Sequence, residues 1–230
     1  MEKLLVANYK MNGNKNFYQK VSKVVNKIKT EDTIVLCPPF VYMPFFKLNN
    51  KNVFLGGQDL AANENKKSTG QTSASMLNEF GAKYVLIGHS ERREIGESDE
   101  LVAKKVEEAQ SKGLIPIVCV GEENRVSKLT VLAEQVKLAL NGAINDNIVF
   151  AYEPIWAIGT GEQPNVPQIN KALRIIKDSA EDCGYKVKVL YGGSVNAENY
   201  KDILTSKVNG LLMGGVSLKL NDFLKIVKGE

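Results

Sequence analysis

Ile148-Val149-Phe150-Ala151-Tyr152-Glu153-Pro154-Ile155-Trp156-Ala157-Ile158-Gly159-Thr160-Gly161 reads as the end of a strand, its mouth and the loop beyond. Residues 148–151 are apolar without interruption, as in a strand covered on both faces rather than one turned to water. Glu153 stands just past the strand's end. Pro154, with no N–H and a fixed φ, stops the ladder there. Ile155, Trp156, Ala157 and Ile158 then bring apolar side chains into a loop that water alone would not call for, and Gly159 and Gly161 end it with small residues. A carboxylate at a strand mouth under such a loop predicts a base beneath a hinged lid over residues 154–161. A surface glutamate beside a buried tryptophan is the plainer reading of the same letters, and spacing alone leaves the two level.

Outward from this stretch the same unit recurs. Short Val-, Ile- and Leu-rich runs at 4–8, 34–37, 53–57, 84–88, 115–120, 148–151, 187–191 and 210–213 read as strands. Amphipathic stretches at 17–29, 73–80, 99–112, 128–140, 168–183, 197–205 and 221–227 read as helices between them. In the first of these, Val21, Val24, Val25 and Ile28 recur at helical spacing. Ser98 is placed to cap the third, with Asp99 and Glu100 in its positive first turn. Strand–helix units in series form either a doubly wound open sheet or a closed (β/α)8 barrel, and periodicity does not separate them. Length favours the barrel: such barrels take about 250 residues and the chain has 230. With no linker, composition shift or close repeat, residues 1–230 are read as one α/β domain, eight parallel strands inside a ring of helices.

The bulk numbers narrow the function. Apolar residues make up 43%, enough for a sizeable core. Thirty basic and 26 acidic residues leave a net charge of +4, scattered without the basic stripe of a nucleic-acid binder. A mild positive excess still helps attract a small anion. Cys37, Cys119 and Cys183 lie far apart with no CxxC spacing, as expected of reduced thiols in the cytoplasm. A lone histidine cannot build a His-cluster metal site. No run reaches membrane-spanning length, so no membrane partner is expected.

Chemistry gathers at the strand mouths. Tyr191-Gly192-Gly193-Ser194-Val195 and Met213-Gly214-Gly215-Val216-Ser217 follow the last two strands. Glycines there let main-chain N–H groups approach an anion, and loops after the seventh and eighth strands are a recurrent phosphate site in barrels. Paired glycines are also ordinary tight-turn chemistry; the two pairs together weigh toward phosphate. His89, the only imidazole, opens His89-Ser90-Glu91-Arg92-Arg93. A helical turn starting there would disfavour the imidazolium and keep the ring neutral. Lys10, two residues past Asn8, can neutralise an oxyanion, although most loop lysines are merely solvated. Glu97 is placed to pair with a cation, and Cys119 is read as packing. Gly159-Thr160-Gly161 is not a full dinucleotide fingerprint, no Walker A sequence occurs, and neither Ser90 nor Ser194 lies in a nucleophile elbow.

Asn8-Tyr9-Lys10, the run Tyr84–Arg93 with His89, the Glu153 loop, Tyr191-Gly192-Gly193-Ser194-Val195 and Leu211-Leu212-Met213-Gly214-Gly215, in this order, closely resemble the triosephosphate isomerase family. The likeness runs from Val6 to about Leu218. It implies a (β/α)8 barrel that interconverts dihydroxyacetone phosphate and D-glyceraldehyde 3-phosphate through an enediolate, in glycolysis and gluconeogenesis, without metal or organic cofactor. It implies Glu153 as the base, neutral His89 working on the substrate oxygens, and Lys10 with Asn8 stabilising the oxyanion. Main-chain N–H groups of Gly159, Ser194, Gly214 and Gly215 would hold the phosphate. Ile158 and Leu212 would clamp over Glu153, and Glu97 would neighbour Lys10. The family also implies a homodimer whose Thr69 loop reaches the partner's site. Here that loop reads Lys67-Ser68-Thr69-Gly70-Gln71, with Gln71 where the family usually has an acid, and Val216 stands where alanine is commoner. Two other readings compete: a phosphate-binding barrel that has lost catalysis and serves as a scaffold, and a Schiff-base aldolase. The first should have lost Glu153, His89 or Lys10; the second wants a lysine at the end of a central strand.

Overall fold

The computed structural model describes residues 2–64, 67–123, 130–158 and 162–230. The strands are β1 (Leu4–Asn8), β2 (Thr33–Cys37), β3 (Val53–Gly57), β4 (Ala82–Ile87), β5 (Ile115–Val120), β6 (Val149–Tyr152), β7 (Lys188–Tyr191) and β8 (Gly210–Met213). They pair in chain order, each parallel to its neighbours, and β8 closes on β1 through Leu4–Gly210 and Val6–Leu212. That last pairing excludes the open doubly wound sheet and makes the fold a (β/α)8 TIM barrel.

The continuous apolar runs are explained by what each face of a strand meets. Side chains alternate in and out along a strand. Val6, Val35, Leu86, Ile117, Cys119, Ala151 and Leu212 fill the barrel's interior. Leu5, Ala7, Ile34, Leu36, Val85, Val118 and Phe150 point outward into a second core shared with the helices. Both sets are apolar because both are dry.

The helices are α1 (Lys15–Val25), α2 (Ala74–Glu79), α3 (Ser90–Glu94), α4 (Asp99–Ser111), α5 (Thr130–Leu140), α6 (Val166–Asp182), α7 (Tyr200–Leu204) and α8 (Leu220–Lys228). α1 buries Tyr18, Val21, Ser22 and Val25, one face at 3–4 residue spacing. Ser98 caps α4 by accepting from the Leu101 N–H, as its position foretold. Asn165 and Gln168 form a reciprocal capping box on α6. The expected helix over 197–205 shrinks to α7, because Asn196 Oδ1 takes the N–H groups of Glu198 and Asn199 and turns the chain first. After β2 the connection is a 3₁₀ turn, Phe40–Phe45, with Pro44 inside it where an α-helix would need an N–H. The first two residues of the helix expected over 128–140 lie outside the described residues.

Candidate active site

The C-terminal ends of the strands carry the residues singled out above. Asn8 ends β1 and Lys10 follows it, His89 follows β4, Glu153 follows β6, and the two glycine pairs follow β7 and β8. A closed parallel ring brings all five mouths to one rim. Between them lies a cavity of about 280 Å³. Asn8, Lys10, His89 and Glu153 form one side of it; Ser194, Gly214, Gly215 and Val216 form another; Ile158 and Leu212 also reach it. Gly159, named as a phosphate ligand, lies outside the described residues, as do the other two residues at the lid's far end.

Glu153 is only 2% exposed. Its Oε1 lies 3.1 Å from His89 Nε2, and its Oε2 accepts the Ser90 N–H at 3.1 Å. Its main chain is fixed as well, since its N–H donates to the Val120 carbonyl at 2.8 Å. The fit is close: a Cβ on Gly121 would lie 1.8 Å from the Glu153 carbonyl oxygen. One on Gly192 would lie 3.0 Å from Glu153 Cγ. Glycine at both positions lets the β5 and β7 mouths close around the carboxylate.

His89 is the N-cap of α3, and its Nδ1 accepts the Glu91 N–H at 3.2 Å. With that lone pair taken, the neutral ring carries its proton on Nε2, the nitrogen that faces the cavity and Glu153. Burial lowers the imidazole's pKa, but the adjacent Glu153 carboxylate raises it further than burial lowers it, leaving it above the ordinary value. The neutral state expected from the helical turn therefore depends on where Glu153 is. Once the carboxylate leaves the ring, burial and the nearby Lys10 ammonium both favour neutral imidazole. In Glu153→Gln the single histidine should accordingly titrate at lower pH than in the parent, read from its ring proton shifts in NMR. An unmoved titration would mean the two side chains do not meet in solution.

Lys10 has φ 51°, the one positive φ at a non-glycine residue among those described. Such a conformation costs on the order of 1–3 kcal/mol and persists only where neighbours enforce it. Here Asn8 Oδ1 accepts the Lys10 N–H at 3.0 Å, and Gln58 Nε2 donates to the Lys10 carbonyl at 2.9 Å. The twist sends the side chain over the mouth, with Cε 3.6 Å from where a Cβ of Gly214 would be. Lys10 Nζ pairs with Glu91 Oε1 at 2.6 Å. The expectation that Glu97 is its neighbour is corrected: Glu97 instead takes Lys105 Nζ at 2.5 Å, Arg92 Nε at 3.3 Å and the Gly88 N–H. Glu91 lies in the first turn of α3, close to the mouth; Glu97 lies beyond that helix.

The side lined by Ser194, Gly214 and Gly215 is built from turns rather than from α-helix starts. α7 begins only at Tyr200, and Gly215–Leu218 is a 3₁₀ turn. The N–H groups of Gly193 and Ser194 have no protein acceptor among the described residues. Ser194 Oγ donates to the Ala157 carbonyl at 2.7 Å, tying this loop to the one that follows Glu153.

A sequence model of the family described as triosephosphate isomerase matches residues 3–230. A triosephosphate isomerase of Bartonella bacilliformis is 41% identical, the match covering 97% of this chain and 94% of that protein. One from a Thermoanaerobacter species is 40% identical over 97% of this chain and 98% of its own. One from Klebsiella pneumoniae is 37% identical over 98% and 95%. The chain belongs to the triosephosphate isomerase family. The non-catalytic scaffold finds no support, and the residues such a relative should have lost are all present and in one cavity.

Three residues of this isomerase's rim escaped the sequence reading. Ser90 was weighed only as a nucleophile, yet its main-chain N–H holds Glu153. Gln58, just past β3, braces the twisted backbone of Lys10. Glu122, 4% exposed, accepts the Tyr152 hydroxyl at 2.8 Å and Trp156 Nε1 at 3.0 Å, and its carbonyl accepts the Ile155 N–H. It thereby fastens the loop that follows Glu153. The only signal for the three was their place just past a strand.

Proposed function

We propose that Glu153, His89, Lys10 and Asn8 carry the isomerisation of dihydroxyacetone phosphate and D-glyceraldehyde 3-phosphate, a step of glycolysis and gluconeogenesis. Glu153 takes the proton from the carbon beside the carbonyl and returns it to the adjacent carbon. The enediolate between the two steps is stabilised where its charge develops, at the oxygens, because a proton beside a carbonyl is only weakly acidic. His89 donates from Nε2 and moves a proton between those oxygens, while the Lys10 ammonium and Asn8 face them. N–H groups of Ser194, Gly214 and Gly215, with Gly159 by the family resemblance, hold the phosphate. Ile158 and Leu212 close over the carboxylate and keep water from the intermediate.

The cavity shared by Glu153, His89, Lys10 and the glycines carries this reading. It also implies a movement. Both carboxylate oxygens of Glu153 are engaged, by Ser90 and His89, so substrate must take over those contacts before a proton can move.

The reading extends to the whole assembly: one domain over residues 1–230, in the cytoplasm, working as a homodimer. Three unpaired cysteines, two of them buried, support a reducing compartment. Among the described residues no helix is long and apolar enough to cross a membrane. The dimer is supported by a second cavity of about 530 Å³ beside Lys10, Gln58 and Arg92. Near it Met11 and Ile95, which follow Lys10 and α3, are 94% and 73% exposed. Thr69 is itself exposed, between Ser68 and Gly70, which line that cavity. One coupled assay with D-glyceraldehyde 3-phosphate, run over a dilution series with light scattering, tests both parts. Turnover is expected, falling per chain as the dimer dissociates. A chain inactive at every concentration refutes the catalytic reading; full activity as a monomer refutes the dimer.

A further inference from the structure

A cleft of about 480 Å³ lies on the outside of the barrel, between α6 and the turn that leads into β8. It shares no lining residue with the cavity that holds Glu153, His89 and Lys10. Lys171, Arg174, Lys177 and Lys207 line it, with Asp178 the one carboxylate. Lys171, Arg174 and Lys177 are spaced three residues apart, so their backbone positions span roughly 9 Å of helix axis. Some cations elsewhere are paired with carboxylates, as Arg93 is with Asp99 and Lys112 with Glu64. Here none of the four has an ion-pair partner among the described residues.

Lys177 and the Lys207 main chain are tied to their neighbours. Asn170 Oδ1 accepts the Lys207 N–H at 2.8 Å, and Lys177 Nζ donates to the Lys207 carbonyl at 3.3 Å. Lys3 Nζ donates to the neighbouring Val208 carbonyl at 2.8 Å and adds a further cation beside the cleft. Burial, then the charges of Lys207 and Lys3, hold the Lys177 ammonium below its ordinary pKa. Like charges gathered in one cleft repel at a cost that an anion removes. A row of cations longer than a single phosphate suits several linked anionic groups better than one.

We propose that this cleft is an anion site for a ligand carrying a chain of phosphates, whether free or at the end of a nucleotide. Binding there depends on charge and falls with added salt. The inference is independent of the catalytic assignment.

The test is a titration of the ¹⁵N-labelled full chain with inorganic tripolyphosphate, followed by amide shifts, with orthophosphate as comparison. Shifts at Lys177 and Lys207 that saturate are expected, at lower concentration for tripolyphosphate than for orthophosphate. Lys171→Gln/Arg174→Gln/Lys177→Gln should weaken tripolyphosphate binding at least ten-fold, with kcat and KM for the triose phosphate unchanged. Should the half-buried Lys177 prove necessary for folding, Lys171→Gln/Arg174→Gln on exposed helix positions should still weaken it several-fold. Shifts confined to Gly193, Ser194, Gly214 and Gly215, or equal affinity in parent and variants, overturn the proposal. So does orthophosphate binding as tightly as tripolyphosphate.

Discussion

Glu153→Asp is expected to lower kcat by a factor on the order of 10² or more, with KM nearly unchanged, because a misplacement of about 1 Å at a reacting group is that costly. Removing one methylene keeps the charge and draws the carboxylate back toward its backbone. That backbone cannot follow, since its N–H is held by the Val120 carbonyl and its carbonyl is packed against Gly121. The loss is in the transition state rather than in binding, so it falls on kcat. Steady-state kinetics with D-glyceraldehyde 3-phosphate measure it, and thermal unfolding shows whether the barrel is intact. Turnover equal to the parent's would remove Glu153 from the role of base.

Lys10→Met is expected to cost at least 10²–10³ in kcat/KM, about 2.7–4 kcal/mol, the range for deleting one donor aimed at a developing oxyanion. Methionine keeps much of the stem's length and removes the charge. The stability effect is small by comparison. The Lys10–Glu91 pair is more than a quarter exposed on the lysine side and half exposed on the glutamate side, and pairs of that kind contribute about 0–1 kcal/mol. The strained turn survives because it is held through main-chain atoms, by Asn8 and Gln58. A folded and inactive variant supports the oxyanion assignment; a folded and fully active one refutes it.

Much of the molecule was legible before any coordinate. Five residues of β1, all buried, coincide with the run read at 4–8, and β3, β5 and β8 agree as closely. Such runs are readable because a parallel strand dry on both faces leaves no polar position to confuse the pattern. Ser98 announced α4 because capping is a contact between near neighbours in the chain. The glycine pairs, Glu153, His89 and Lys10 were conspicuous because each stands just past such a run.

What the chain's letters could not decide was closure, since an open sheet and a ring use the same buried strands. The β1–β8 pairing, between residues some 200 positions apart, decides it. The partner of Lys10 was equally out of reach: Glu91 and Glu97 differ by little in sequence, and only the placement of α3 against the β1 mouth brings the first within 2.6 Å and turns the second to Lys105. Local patterns record which faces are dry and where elements begin. Long-range pairing and the aim of a side chain across the rim are set by the packing of the whole ring.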